Sequence, residues 1–129
     1  MKAFGFPVHE AVSNEYEQLK MKKAHRFLIL NIINETIVLE KTGDRESTFD
    51  QMIQSFDKVK PHYIIFDLDL LTSDGRKESK ILFISYVPDV LGAKEKMPYA
   101  SAKASLQNKL GSFHEKLQVH LKRSMNFQN

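Results

Sequence analysis

Residues 26 to 33, Arg-Phe-Leu-Ile-Leu-Asn-Ile-Ile, constrain the fold more than any other stretch of the chain. Side chains alternate between the two faces of a strand, and here both faces are apolar. Such a run reads as a strand buried on both sides. His62 to Leu70 and Lys80 to Val87 read as two more apolar strands. Strands buried on both faces need helices packed on each side. The expected class is α/β of the α+β type: a mixed central sheet of about five strands sandwiched between helices.

The segments between these runs supply the rest. Val8, Val12, Tyr16 and Leu19 form one stripe at helical spacing and predict a helix over residues 8 to 24. Asn34-Glu35 makes a short turn into a strand from Thr36 to Lys41, closed by Gly43-Asp44. Ser47-x-x-Asp50 resembles a capping box before Phe49, Met52, Ile53 and Phe56, giving a short helix to about Asp57 that Pro61 stops. A loop from Thr72 to Glu78 joins the two later strands. A longer helix covers residues 92 to 110, with a kink or fresh start expected at Pro98 and an end at Gly111. A last short strand lies around Leu117 to Leu121. A single domain of residues 1–129 is expected, with a flexible N-terminus over 1–6 and a polar tail over 122–129.

Composition narrows the function classes. A net charge of +3 does not by itself call for nucleic acid. The absence of cysteine excludes disulfides and Cys-based metal sites. No apolar run approaches the ~20 residues that span a bilayer, and the first residues are too short a stretch for a signal peptide, so a cytoplasmic monomer is the default. Catalysis finds little to rest on. Asp67 and Asp69 alternate onto one strand face and mimic, with Glu78, positions of a calcium loop. Leu71 and Thr72 break that pattern where a ligand and a glycine are required. A metal-dependent enzyme using Asp67 and Asp69 is the remote alternative; acids that face solvent or pair with lysines are the plainer reading. The histidines lack i, i+4 pairing, and no nucleophile elbow or glycine-rich phosphate loop exists. No catalytic residue, metal or cofactor is expected. The chain reads as a binding protein.

The helix over 92 to 110 carries the binding signal. Tyr99, Leu106 and Leu110 gather on one side, while Lys94, Met97, Ser101, Ala104, Ser105 and Asn108 lie on the other. That outer flank is mostly small, with one flexible apolar residue and a lysine at its leading end. A merely solvated face would carry more Glu and Lys pairs. Lys94 and Lys96 also stand at the helix start, where the dipole disfavours cations. An acidic partner accounts for them better than helix stability does, although two ordinary surface lysines remain the plainer alternative. Lys20, Lys22, Lys23, His25 and Arg26 form the densest basic cluster. It is either a solvated helix end, where the dipole favours cations, or a surface for anionic lipid. Interleaved aromatics for base stacking are missing.

Five blocks together resemble the actin-depolymerising factor/cofilin family. They are Leu19-Lys20-x-Lys22-Lys23-x-His25-Arg26-Phe27, Glu40-Lys41-Thr42-Gly43, Tyr63-x-x-x-Phe66-Asp67-x-Asp69, Ser79-Lys80-Ile81-x-Phe83-Ile84 with Pro88, and Lys94-x-Lys96-Met97-x-Tyr99-Ala100-Ser101-x-Lys103-x-x-Leu106. They come in family order across residues 4 to 121. The resemblance implies the ADF-homology fold and a partner, actin, bound as monomer and filament in the actin cytoskeleton, with depolymerisation as the outcome. It implies monomer contact through Lys94, Lys96, Met97, Ser101, Ala104, Ser105 and Asn108, and through the N-terminal Phe4, Gly5 and Phe6. It implies filament-side contact through Arg76, Lys77 and Lys80, and phosphoinositide contact through Lys20, Lys22, Lys23, Lys94 and Lys96. Departures are specific. Phe4-Gly5-Phe6 stands where the family often has a phosphorylated serine, Gln107 and Asn108 replace a second basic pair, and few residues follow Leu121. The implied severing is therefore weak. The alternative within the fold is a relative of the glia maturation factor type, acting on the actin-branching complex.

Overall fold

The three apolar runs lie side by side in the sheet of the computed structural model, which describes residues 6–111 and 113–119. In chain order the elements are α1 (Glu10–Met21), β1 (His25–Ile33), β2 (Thr36–Asp44), α2 (Phe49–Gln54), β3 (His62–Leu71), β4 (Lys77–Tyr86), α3 (Ala93–Ser101), α4 (Lys103–Leu110) and β5 (Glu115–Val119). The five strands form one sheet in the order β2-β1-β3-β4-β5. Its first four strands pair antiparallel and β5 pairs parallel to β4, so the sheet is mixed. A parallel neighbour needs a crossover, and α3 and α4 provide it.

Alternation along the buried strands builds two cores. Leu28, Leu30, Tyr63, Ile65, Ile81 and Phe83 face α1, α3 and α4, where Val12, Tyr16, Leu19, Tyr99, Ala102 and Leu106 meet them. Phe27, Ile29, Ile64, Phe66, Leu82 and Ile84 face the other way, toward Met52 and Phe56 beside α2. Each such side chain contributes about 1.5–3 kcal/mol when fully buried. The β1–β2 turn is a two-residue loop with φ of 49° at Asn34 and 62° at Glu35, the left-handed pair that matches strand twist. Gly43 is required by packing. A Cβ there would lie 2.1 Å from Cε2 of the Phe27 ring.

Several boundaries differ from expectation, each for a physical reason. Val8 is not helical. It bridges Ile37 of β2, with the His9 N–H donating to the Ile37 carbonyl at 2.8 Å and the Ile37 N–H to the Pro7 carbonyl at 2.9 Å. α1 starts after His9, whose Nδ1 accepts from the Ala11 N–H at 3.0 Å. The capping box sits one residue later than expected: Thr48 Oγ1 accepts from the Gln51 N–H at 3.1 Å, and Gln51 Oε1 from the Thr48 N–H at 2.9 Å. β2 runs on to Asp44, and β4 begins at Lys77, so Lys77 and Lys80 belong to a strand and only Arg76 of that trio to the turn. The helical interruption falls at Ala102, not at Pro98. The Tyr63 hydroxyl donates to the Tyr99 carbonyl, the acceptor an unbroken helix would offer to the Lys103 N–H. β5 spans Glu115–Val119, and the expected continuation to Leu121 and the tail 122–129 lie outside the described residues.

Candidate functional site: the outer flank of the crossover helices

Tyr99 fixes how α3 sits on the sheet. Its ring is buried, its hydroxyl accepts from the Ile32 N–H at 2.8 Å, and its carbonyl takes the Tyr63 hydroxyl. Burial pushes the Tyr99 phenol above its ordinary pKa, so it stays a neutral anchor. With Tyr99, Ala102 and Leu106 turned inward, Lys94, Met97, Ser101, Ala104 and Asn108 are exposed on the opposite side. Met97 is 62% exposed, a large apolar side chain with no internal packing role to match. Ala102 was absent from the expected inward set; its small side chain gives no periodic signal.

Two members of the flank are less free. Ser105 is half-buried, and its Oγ accepts from the Phe6 N–H at 3.0 Å. Phe6 itself packs on the larger core. Phe6 is thereby laid against α4. Phe4 and Gly5 lie outside the described residues. Lys96 is half-buried, with Nζ 3.9 Å from Asp89 Oδ1, a long and partly exposed contact worth little. Lys94 has no ion pair among the described residues.

The basic cluster after α1 is built differently. Lys23 Nζ lies 3.1 Å from Asp67 Oδ2 and donates to Ser79 Oγ at 3.0 Å. Arg45 Nη1 donates to the same Asp67 oxygen at 2.8 Å, and its Nη2 reaches Asp69 Oδ1 at 3.3 Å. Arg26 donates to the Asp67 carbonyl at 2.8 Å and to Asp69 Oδ2 at 3.1 Å. The Asp67 side chain is 0% exposed. Burial, with the Asp67 charge adding to it, raises the Tyr16 phenol from 10.0 to about 12. Asp67 and Asp69 do share a face, but the cations facing them are side chains of the protein. Among the described residues no three ligating side chains gather as a metal site. His25 pairs with Glu15 at 2.6 Å. Of the cluster, Lys20 and Lys22 make no ion pair among the described residues, Lys20 lying 5.7 Å over the Tyr16 ring. Arg45 escaped the sequence reading. A lone arginine after a strand end carries no signal until its partner is known to be buried.

At the far end of the β3–β4 hairpin, Arg76 contacts Asp74 at 3.2 Å and Glu78 at 3.4 Å, while Lys77 is exposed and Lys80 half-buried on β4.

Known proteins share this arrangement. A family model described as cofilin/tropomyosin-type actin-binding protein matches residues 5–128. Actin-depolymerizing factor 7 of Arabidopsis thaliana is 32% identical over 125 residues, covering 97% of this chain and 91% of its own. The crystal structure of Plasmodium berghei actin depolymerization factor 2 superposes with a TM-score of 0.80 at 28% identity, covering 92% of this chain and 88% of that one. Streptomyces griseoflavus cofilin gives 0.79 at 26% identity, over 91% and 89%. From sequence blocks, sheet order and these likenesses alike, the chain belongs to the cofilin/tropomyosin-type actin-binding protein family.

Proposed function

We propose that this protein binds actin monomers and filaments and promotes filament depolymerisation in the cytoplasmic actin cytoskeleton. The observation that carries this reading is the exposed flank of α3 and α4, small-surfaced around Met97 and headed by Lys94. Met97, Ser101, Ala104 and Asn108 enter an apolar cleft on actin, and burial there supplies about 25 cal/mol per Å² before the costs of association. Lys94 and Lys96 meet acidic actin side chains, which speeds encounter and fixes register. Phe6, held by Ser105, adjoins this surface, and Phe4 and Gly5 contact actin with it. Arg76, Lys77 and Lys80 touch the filament side. Binding one filament state better than another shifts the filament toward disassembly, with no covalent step. Severing is weak, because Gln107 and Asn108 bring no charge to the far end of the flank. Phosphoinositides compete through Lys20, Lys22, Lys94 and Lys96; Lys23 is committed to Asp67.

The test is co-sedimentation with actin, scored in pellet and supernatant, for Lys94→Ala combined with Lys96→Ala. Binding falls by at least about tenfold while the melting temperature stays within a degree or two. Undiminished binding by that variant sinks the proposed surface. A pull-down against the actin-branching complex separates the glia maturation factor alternative, which requires retention there and none on actin.

A further inference from the structure

Phe6 is held by a residue from the far end of the sequence. Its N–H donates to Ser105 Oγ at 3.0 Å across 99 positions, and its side chain packs on the core beneath α1, α3 and α4. Pro7 makes this hydrogen bond matter. Proline has no amide hydrogen and holds the residue before it in extended backbone. From Pro7 onward the chain is registered by β2: the Ile37 N–H donates to the Pro7 carbonyl at 2.9 Å, and the His9 N–H to the Ile37 carbonyl at 2.8 Å. Upstream of Pro7 the partner changes from β2 to α4, and the Ser105 hydroxyl receives the Phe6 donor.

Helix propensity does not explain a serine here, because its hydroxyl competes for backbone groups and alanine is the better former. Position does. Ala104 is exposed and Leu106 buried, so half-buried Ser105 lies on the border between docking flank and core. We infer that Ser105 is a positioning residue: its hydroxyl holds the N-terminal arm in register with the exposed flank of α3 and α4, so that both meet actin as one surface. This rests on the actin-binding function proposed above. Met97, Ser101, Ala104 and Asn108 are placed by their helices before any encounter. Phe6 is placed by the Ser105 hydroxyl, and ordering it in advance lowers the cost of ordering on association. The net worth of one such hydrogen bond corresponds to about two- to tenfold in an equilibrium constant. Ser105 thus acts on actin through Phe6, unlike the side chains of the flank itself.

The experiment is a double-mutant cycle on the full chain, read as the dissociation constant for actin monomers. Ser105→Ala weakens binding by about two- to tenfold and lowers the melting temperature by no more than about 4 °C. In the background of Phe4→Ala with Phe6→Ala, which removes the arm's aromatic side chains and keeps the Phe6 N–H, Ser105→Ala costs nothing further. Phe4→Ala alone serves as that background if the paired change unfolds the chain, and the loss from Ser105→Ala then shrinks. Ser105→Thr keeps a hydroxyl and binds as the parent does. Amide hydrogen exchange reads the attachment itself: the Phe6 N–H exchanges faster in Ser105→Ala and at the parental rate in Ser105→Thr, while the Leu106 N–H is unchanged. Equal losses from Ser105→Ala in both backgrounds make Ser105 a direct actin contact and overturn the inference. So do parental binding by Ser105→Ala and unchanged exchange at Phe6. Failure of the parent to bind actin is a separate result, which brings down the actin-binding function and this role together.

Discussion

Two basic regions that look alike in the sequence do opposite work in the fold. Lys20 to Arg26 is the denser cluster, yet Lys23 and Arg26 turn onto Asp67 and Asp69 and are joined there by Arg45. Lys94 and Lys96 are sparser, yet one is unpaired among the described residues and the other keeps only the 3.9 Å contact with Asp89. The difference lies in what faces them. A buried carboxylate cannot stay charged without cations, so Asp67 draws in the nearest ones and spends them on stability. α3 presents no buried acid beneath its first turn, so its lysines stay on the surface. Density of charge in a sequence therefore does not tell which of the two regions keeps its cations free of internal partners.

The comparison breaks most visibly at Asp67. Replacing it by Asn leaves the partly exposed Lys23 and Arg45 cations beside a neutral group, and the expected loss is about 1.5–3 kcal/mol in urea unfolding. A loss below about 1 kcal/mol means the network is not structural. Actin binding by the folded fraction should persist, since no atom of the docking flank has moved. Next in size is an alkaline effect at Tyr16, caused first by burial and then by the same carboxylate. The Tyr16 phenol titrates near 10 in the unfolded chain and at about 12 in the fold. The folded state thus holds its proton longer, and this stabilisation is complete below pH 10 and lost as pH climbs toward 12. Two units correspond to at most about 2.7 kcal/mol. Tyr16→Phe should match the parent closely at neutral pH, because the hydroxyl has no hydrogen-bond partner among the described residues, and should fall less steeply than the parent above pH 10. Identical alkaline profiles refute the shift.

How much of this was legible in the sequence follows from where each signal comes from. The central strands were legible because β1, β3 and β4 must be apolar on both faces, and that pattern needs no knowledge of partners. The first residues of β4 were not, since Lys77, Glu78 and Ser79 carry no apolar alternation and only pairing with β3 makes them a strand. The break at Ala102 was misplaced to Pro98 because its cause, the Tyr63 hydroxyl, comes from a strand 36 residues away. The outward flank was legible by helical period alone: Lys94, Met97, Ser101, Ala104 and Asn108 are all exposed. The fate of Lys23 was not, because it depends on Asp67 being covered, and burial of an acid leaves no mark in local sequence.

The smallest effect is the most direct test of the contrast. Lys23→Ala and Lys94→Ala each remove one ammonium and the same methylene stem. Lys23 Nζ contacts a fully buried carboxylate, but its side chain is 45% exposed and Arg45 remains on the same oxygen. The pair is thus screened and backed up, and its removal should cost no more than about 1 kcal/mol. Lys94 touches no acid among the described residues, so its removal should stay within about ±0.5 kcal/mol, and relief at a helix start favours the stabilising sign. For actin the order reverses: Lys94→Ala should weaken binding most at low salt, where steering is unscreened, while Lys23→Ala should leave the salt dependence unchanged. If Lys23→Ala alone alters that salt dependence, the cluster after α1 is part of the docking surface and the division drawn between the two regions is wrong.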